Sequence, residues 1–146
     1  MITVRDILHA KGNQIWSVSP DSTVFDALQL MADKNIGALI VLDGEKIAGI
    51  FSERDYARKI ILKGKASKET SVEEIMTSEV TTLRLEQSVE ECMGLMTDKR
   101  IRHLPVLEGE KLIGLISIGD VVKAIISDKE FTIKQLENYI TGGSTG

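Results

Sequence analysis

The sequence predicts a mixed α+β/α/β fold in which two β-α-β-β-α repeats pack about a pseudo-twofold axis into one compact unit. Two observations carry this prediction. Residues 24–60 match residues 89–125 without a gap, so one pattern is written twice. The chain has 146 residues, which suits one compact unit, whereas either half would be marginal alone. Two repeats of so small a unit predict a pseudo-dimer with a shared core.

The elements of the first repeat follow from its local patterns. Val4–Leu8 predicts a short opening helix, and residues 15–19 predict a brief strand. A capping-box pattern at Thr23 predicts a helix, whose apolar residues recur with the helical period. Two apolar strands flank a tight turn at Gly44, which predicts a hairpin, and a final helix begins at Ser52.

The second repeat carries the same elements 65 positions further along, except that its opening segment, residues 72–76, is offset by 68. After Ile126 the sequence again favours a helix. The predicted boundaries are repeat 1 over 1–62, a linker over 63–71, repeat 2 over 72–127, and a C-terminal helix with a frayed tail over 128–146.

Composition limits the class of protein. Acidic residues outnumber basic ones by 22 to 18, which argues against the basic face that nucleic-acid binding needs. The N-terminus lacks the pattern of a signal peptide, and the longest apolar run is too short to span a bilayer. The single cysteine, Cys92, excludes an internal disulfide and fits a reducing compartment. We therefore expect a cytoplasmic protein with no nucleic-acid or membrane partner.

Catalytic and metal-binding patterns are absent from the sequence. His9 and His103 are far apart and have no cysteine partner, so a metal site is not expected. With only two histidines, a Ser-His-acid triad is improbable, and no pair of base and nucleophile stands out. We therefore expect a protein that is not an enzyme and has no catalytic residues.

One heptapeptide occurs at the same place in both repeats: Gly49–Asp55 reads GIFSERD, and Gly114–Asp120 reads GLISIGD. Its Ser-x-x-Asp pattern at a helix start has two interpretations. It can be a capping box that satisfies the first backbone N–H groups. It can also be a nucleotide site, because a helix N-terminus accepts phosphate and a carboxylate one turn further accepts both hydroxyls of a ribose. Spacing alone favours the cap, because capping boxes are common.

Together these features resemble a tandem pair of CBS domains, the Bateman module, over almost the whole chain. The resemblance rests on the repeat length, the element order, the segment RHLPVLE at Arg102–Glu108 and both heptapeptides. The ending FTIKQLENYITG is similar to that of stand-alone bacterial two-CBS proteins. The resemblance implies an adenosine ligand in clefts between the repeats, AMP above all, with NAD(H), ADP, ATP and S-adenosylmethionine as alternatives.

The resemblance also implies roles for individual residues. In that family the motif serine contacts phosphate, the aspartate holds the ribose, the segment matching RHLP lines the nucleotide, and the chain at the first strand lies near the base. The implied contacts in the first repeat are Trp16, Ala38, Ser52, Glu53, Arg54 and Asp55. Those in the second repeat are Val80, Thr81, Arg102, His103, Leu104, Pro105, Ser117, Ile118, Gly119 and Asp120.

The two predicted clefts differ in charge. A cation cluster at residues 99–103 of the second repeat offers what phosphate recognition needs. We assign Lys99 and Arg100 to the end of a helix, whose dipole they suit, and Arg102 and His103 to the ligand.

The first repeat departs from this pattern, since Gly37 and Ala38 stand where the second repeat has its Arg-His pair. Arg54 offers a cation instead, and it can reach a phosphate or pair with the acid on either side of it. Trp16 can stack on adenine, although a lone tryptophan on a strand is more often part of the core or of a dimer interface.

Three functions are compatible with these patterns. The first is a regulatory sensor of energy or redox state that binds an adenine nucleotide and acts in trans on an unknown partner, since no catalytic or transporter domain is attached. The second is a structural dimeric scaffold whose motifs are helix caps. The third is an enzyme acting on the nucleotide. We rank them in that order and expect a homodimer, because the helices carry apolar segments such as DVVKAII at residues 120–126.

Overall fold

The computed structural model describes residues 1–12 and 14–142, so most of the predicted frayed tail lies outside the described residues. In chain order the elements are α1 (Val4–Lys11), β1 (Ser17–Val18), α2 (Val24–Lys34), β2 (Ala38–Asp43), β3 (Lys46–Ser52), α3 (Glu53–Tyr56) continuing as a π-helical segment (Ala57–Ile61), α4 (Val72–Ile75), β4 (Leu83–Arg84), α5 (Val89–Lys99), β5 (His103–Glu108), β6 (Lys111–Ser117) and α6 (Ile118–Gly142).

Two three-stranded sheets, β1-β2-β3 and β4-β5-β6, confirm the predicted mixed α/β class. In each sheet the short first strand runs parallel to the second, and the second and third form the predicted antiparallel hairpin. The register places Ala38 opposite Ser52 in one sheet and His103 opposite Ser117 in the other. Each motif serine therefore ends its strand beside the first residue of the neighbouring strand.

The chain divides into two compact units that exchange the opening helices of the repeats. The continuous unit spans Gln14–Thr82, and the discontinuous unit combines Met1–Asn13 with Leu83–Gly146. Thus α1 of the first repeat belongs with the sheet of the second, and α4 of the second repeat belongs with the sheet of the first. Each unit is built from both repeats.

Each unit has its own cluster of buried hydrophobic residues. In the discontinuous unit, Val4, Ile7 and Leu8 of α1 join the buried residues of the second repeat. In the continuous unit, Val72 and Ile75 of α4 join those of the first. Each opening helix therefore buries its apolar face against the sheet of the other repeat.

The glycine of each heptapeptide makes room for the exchanged segment. A Cβ added at Gly49 would lie 2.6 Å from the carbonyl oxygen of Thr77 and 2.8 Å from the sulfur of Met76. A Cβ added at Gly114 would lie 2.6 Å from a methyl carbon of Leu8. Both distances are well inside van der Waals contact, so a side chain at Gly49 would collide with the backbone of the exchanged segment, whereas one at Gly114 would displace the flexible end of Leu8.

Capping determines where the paired helices α2 and α5 begin and end. Thr23 and Ser88 form half of the predicted capping box, each accepting the N–H of the third helical residue. Both helices end at a residue in the left-handed region, Asn35 or Arg100, each with φ of 54°. Arg100 therefore closes α5, as the sequence predicts.

The last helix differs from its prediction. The sequence suggested a helix from Ser117 to about Ile126 and a separate C-terminal helix, but α6 runs unbroken over 25 residues from Ile118 to Gly142. No glycine or proline interrupts it between Gly119 and Gly142, so nothing in the sequence stops the first helix before the second.

Candidate functional site

The second heptapeptide forms a strand-to-helix corner at residues 117–120 of the discontinuous unit, here called the second corner. Asp120 Oδ2 accepts hydrogen bonds from the Ser117 N–H (2.8 Å) and hydroxyl (3.0 Å), and the Asp120 N–H donates to Ser117 Oγ (3.2 Å). This is a complete capping box, so the cap interpretation of the sequence is correct for this corner.

The cap at Ser117 does not satisfy every backbone donor of the first turn of α6. The Ile118 N–H donates to the Arg102 carbonyl (2.8 Å), and the Asp120 N–H donates to Ser117. The cap bonds between Ser117 and Asp120 do not involve the Gly119 N–H, which belongs to the first turn and so has no partner one turn earlier in the helix, and Gly119 itself is exposed. A helix N-terminus with an available N–H group and no side chain over it favours an anion.

Lys11, at the end of α1, completes the second corner. Its ammonium donates to Asp120 Oδ2 at 2.5 Å and to the Leu115 carbonyl at 2.8 Å. The sequence analysis missed this residue because it is 109 positions from Asp120 and belongs to the other repeat. Only the exchange of α1 between the repeats brings it here.

Electrostatics at the second corner favour a charged carboxylate and a neutral imidazole. Burial by itself raises the pKa of Asp120, but hydrogen bonds from Lys11 and Ser117 outweigh it and hold that pKa below its usual value. Burial lowers the pKa of His103, and the charges of Lys11 and Arg102 add to this while Asp120 opposes it. The charges of Asp120, Lys11 and Arg102 therefore all act on His103.

The other residues implied for the second repeat fall into three groups. Arg102 is exposed and His103 is half-buried at the start of β5, next to the corner. Leu104 and Pro105 are buried strand residues of the same unit. Val80 and Thr81 precede β4 and belong to the continuous unit.

The first heptapeptide forms the matching corner at residues 52–55 of the continuous unit, here called the first corner. Ser52 and Asp55 form the same complete capping box, through bonds of 3.0, 3.1 and 3.2 Å. Asp55 Oδ1 also accepts from the Thr77 hydroxyl at 3.2 Å and lies 3.2 Å from the Lys59 ammonium. Both oxygens of Asp55 are thus occupied by protein groups.

The remaining first-repeat residues give this corner a different character. Ala38 is buried at the start of β2, where the second repeat has His103. Glu53 and Arg54 are exposed in the first turn of α3. Trp16 lies before β1, packs partly buried against the unit's core, and carries the Lys34 ammonium 4.2 Å from its ring centroid. One face of the indole is therefore covered by a cation of the chain itself.

Sequence reasoning also missed the partners of Asp55. Lys59 lies four residues after Asp55, a helical spacing at which opposite charges commonly pair, so this contact had a readable signal. The contact with Thr77 has no such signal in the sequence, because it depends on an isolated antiparallel bridge between Thr77 and Ile50 of β3.

The described residues hold no cluster of metal ligands and no helix that could span a membrane. Within residues 1–12 and 14–142, no group of three or more His, Cys, Asp and Glu side chains is placed to hold a metal ion. Over the same part of the chain, no helix combines the length and apolar composition that crossing a bilayer requires.

Burial raises the pKa of the Cys92 thiol to about 11, as suits an inert core residue.

Comparison with known proteins agrees with this architecture. The family model for the CBS domain matches the chain twice, over residues 4–62 and 72–127. The chain belongs to the CBS-domain family. Its relatives include the mitochondrial CBS domain-containing protein CBSX3 of Arabidopsis thaliana, which is 42% identical over 97% of this chain and 73% of its own length.

Solved structures of CBS pairs share the fold. A protein with CBS domains from Burkholderia ambifaria, described as acting in signal transduction, is 58% identical and superimposes with a TM-score of 0.85 over 86% of this chain and 95% of its own. The CBS pair of MJ0100 was solved with 5′-methylthioadenosine and S-adenosyl-L-methionine. It is 24% identical, with a TM-score of 0.75 over 84% of this chain and 98% of its own. That second likeness is one of fold.

Proposed function

We propose that this CBS protein is a regulatory module that binds an adenine nucleotide, AMP, and acts in trans on a partner protein. The observation that carries the proposal is the second corner. It combines an available helix N-terminal N–H group, a partly exposed charged aspartate and three basic side chains, those of Lys11, Arg102 and His103.

The phosphate is assigned to the N-terminus of α6. The Gly119 N–H supplies a directed donor, and the helix dipole adds partial positive charge there. Arg102 and Lys11 supply full charges in an otherwise acidic chain. One phosphate group needs no more than this, which favours AMP over nucleotides with longer phosphate chains.

The ribose is assigned to Asp120. All hydrogen bonds that the described residues give to this carboxylate fall on Oδ2, so Oδ1 can accept ribose hydroxyls while the cap and the Lys11 contact remain. Its lowered pKa keeps it in the charged form, which accepts stronger hydrogen bonds.

The first corner is the weaker candidate on the same criteria. Asp55 has a side chain only 10% exposed, against 21% for Asp120, and both of its oxygens are engaged. A ligand there would have to displace Thr77 or Lys59. We therefore assign the high-affinity site to the second corner and treat Ser52, Glu53, Arg54, Trp16 and Ala38 as contacts of a weaker site.

The family supports the ligand class and the mode of action. A CBS pair of the same fold has been solved with two adenosine derivatives bound, and a relative of higher identity is described as a signal-transduction protein. A ligand regulates a partner only through different affinities for two states, so the proposal requires that AMP changes the conformation or assembly of the protein. Homodimer formation and a cytoplasmic location belong to the same proposal.

The test is a calorimetric titration of the protein with AMP, ATP, NADH and S-adenosylmethionine, with GMP as the control for the base. AMP is expected to bind most tightly and GMP not to bind. Chromatography of the same mixtures is expected to recover AMP unchanged, which separates a sensor from an enzyme. If only NADH or only S-adenosylmethionine gave a heat of binding, that compound would be the ligand in place of AMP.

A second candidate function is a structural scaffold without a ligand. The specific observation in its favour is that both heptapeptides form complete capping boxes, which account for the serine and the aspartate without any nucleotide. No heat with any of the five compounds, together with lower stability of Ser117→Ala and Ser52→Ala, would establish this function instead.

A further inference from the structure

Helix α6 carries an exposed apolar stripe from Val122 to Ile140. Val122, Ile126, Ile133, Leu136 and Ile140 are between 44% and 80% exposed, although α6 as a whole is a regular helix. Large aliphatic side chains in this number rarely face solvent along one helix of a monomer.

The spacing of the stripe is that of a coiled coil. With Lys129 included, its residues follow one another at intervals of four, three, four, three and four, which is the a and d pattern of a heptad. We call the six residues the seam: Val122, Ile126, Lys129, Ile133, Leu136 and Ile140. Phe131, also exposed, lies on the opposite side of the helix.

We propose that the seam is an interface in which α6 pairs antiparallel with α6 of a second molecule of the same chain. The seam rests on the homodimer of the proposed function and names its contact, but it does not depend on nucleotide binding. In an antiparallel pair, a positions of one helix face d positions of the other, so Ile126 faces Leu136, and Val122 faces Ile140 of the second molecule. Every apolar residue of the seam except Ile133 then meets another apolar residue.

Charge decides both the partner and the direction. Lys129 interrupts the seam, and in the antiparallel register it faces Ile133 of the second molecule, with Glu130 one turn away. A parallel pair in register would instead place Lys129 directly against Lys129, and like charges in the seam oppose that arrangement. The lysine therefore finds an acidic partner on a second copy of its own helix.

The extent of the contact is sufficient for a defined orientation. From Val122 to Ile140 the paired helices would run for about 27 Å. Pairing would bury ten aliphatic side chains, five from the seam of each molecule. This adds to any contact made by the rest of the protein.

Disulfide trapping in the full chain tests the orientation. Ile126→Cys and Leu136→Cys variants, mixed and exposed to a mild oxidant, are expected to form the mixed dimer. Ile126→Cys alone is expected to form none, because in the antiparallel register its two copies lie about 15 Å apart, beyond disulfide reach. Cys92 is buried and does not compete. A disulfide in Ile126→Cys alone, or none in the mixture, would overturn the proposal.

Sedimentation velocity tests the energetics with matched variants. Ile133→Asn is expected to raise the dissociation constant of this contact about tenfold or more, and Lys129→Leu is expected to lower it. Phe131→Ser, on the opposite face, is the control and is expected to change nothing. Equal effects of Ile133→Asn and Phe131→Ser would contradict the seam.

Discussion

The two strand-to-helix corners share a capping box and differ in what holds their aspartates. In the first corner, Thr77 adds to β3 through backbone hydrogen bonds to Ile50 and also donates its hydroxyl to Asp55. In the second corner, the Lys11 side chain makes both contacts: its ammonium donates to the Leu115 carbonyl of β6 and to Asp120. Leu115 and Ile50 are equivalent positions of the repeat.

This difference supports the proposal that one motif can be both a helix cap and a ligand site. The heptapeptide first builds the helix start, since both copies are complete caps. The surroundings then decide what else it can do. At Asp55 the exchanged segment and Lys59 engage both carboxylate oxygens, whereas at Asp120 the contacts fall on one oxygen, which is the basis for proposing the ligand there.

The largest expected contrast lies in the heptapeptide glycines. Gly49→Ala is expected to lower the free energy of unfolding by about 2–3 kcal/mol, because its Cβ meets the Thr77 backbone, which cannot rotate away. Gly114→Ala is expected to cost about 1 kcal/mol, because it meets the movable end of Leu8. Urea unfolding of both variants measures the difference. Equal losses would mean that the two exchanged segments pack alike.

The two lysines give a smaller contrast. Lys59→Met is expected to cost about 1–2 kcal/mol, because it leaves a nearly buried carboxylate, Asp55, without its cation. Lys11→Met is expected to cost about 0.5 kcal/mol, because Asp120 is more exposed and Lys11 is itself partly solvated. Thermal and urea unfolding check both values. A larger loss for Lys11→Met would contradict the assignment of the second corner as the more open one.

The smallest expected effect is on pH dependence, and it belongs to the second corner alone, because the first has Ala38 in place of His103. The pKa of His103 is lowered by burial, so the unfolded state binds this proton more readily. The associated stability is present above the unfolded value of about 6.5 and is lost as pH falls through the folded pKa.

Two measurements check this prediction. The variant His103→Gln is expected to lose less stability than the parent between about pH 7 and about pH 5, by a few tenths of a kcal/mol. An NMR titration of Lys11→Met is expected to give a higher pKa for His103, since a repelling charge has been removed. An unchanged His103 pKa in that variant would separate Lys11 from the corner's electrostatics.

The element order and the class of fold could be predicted from the sequence because they depend on local periodicity and on the repeat. The capping boxes at Ser52 and Ser117 were equally local. The exchange of α1 and α4 could not be predicted, because the repeat runs straight through both and the choice of sheet depends on tertiary packing. Lys11 was missed for the same reason.

Finer features were lost where two local signals competed. The interpretation of Trp16 as a core residue is confirmed, but nothing in the sequence indicates that Lys34 at the end of α2 lies over its ring. The unbroken α6 was read as two helices because the end of the repeat was taken for the end of the helix. In both cases the missing information was the position of a neighbouring element.

The central claim, that the second corner is the nucleotide site, is tested most directly by titrating AMP into Asp120→Asn and Asp55→Asn beside the parent protein. Asparagine keeps the shape of the side chain and removes its charge. Asp120→Asn is expected to weaken AMP binding about a hundredfold, through loss of charge-assisted hydrogen bonds to the ribose, and Asp55→Asn to change it less than about threefold. Loss of binding in Asp55→Asn with full binding in Asp120→Asn would contradict the account.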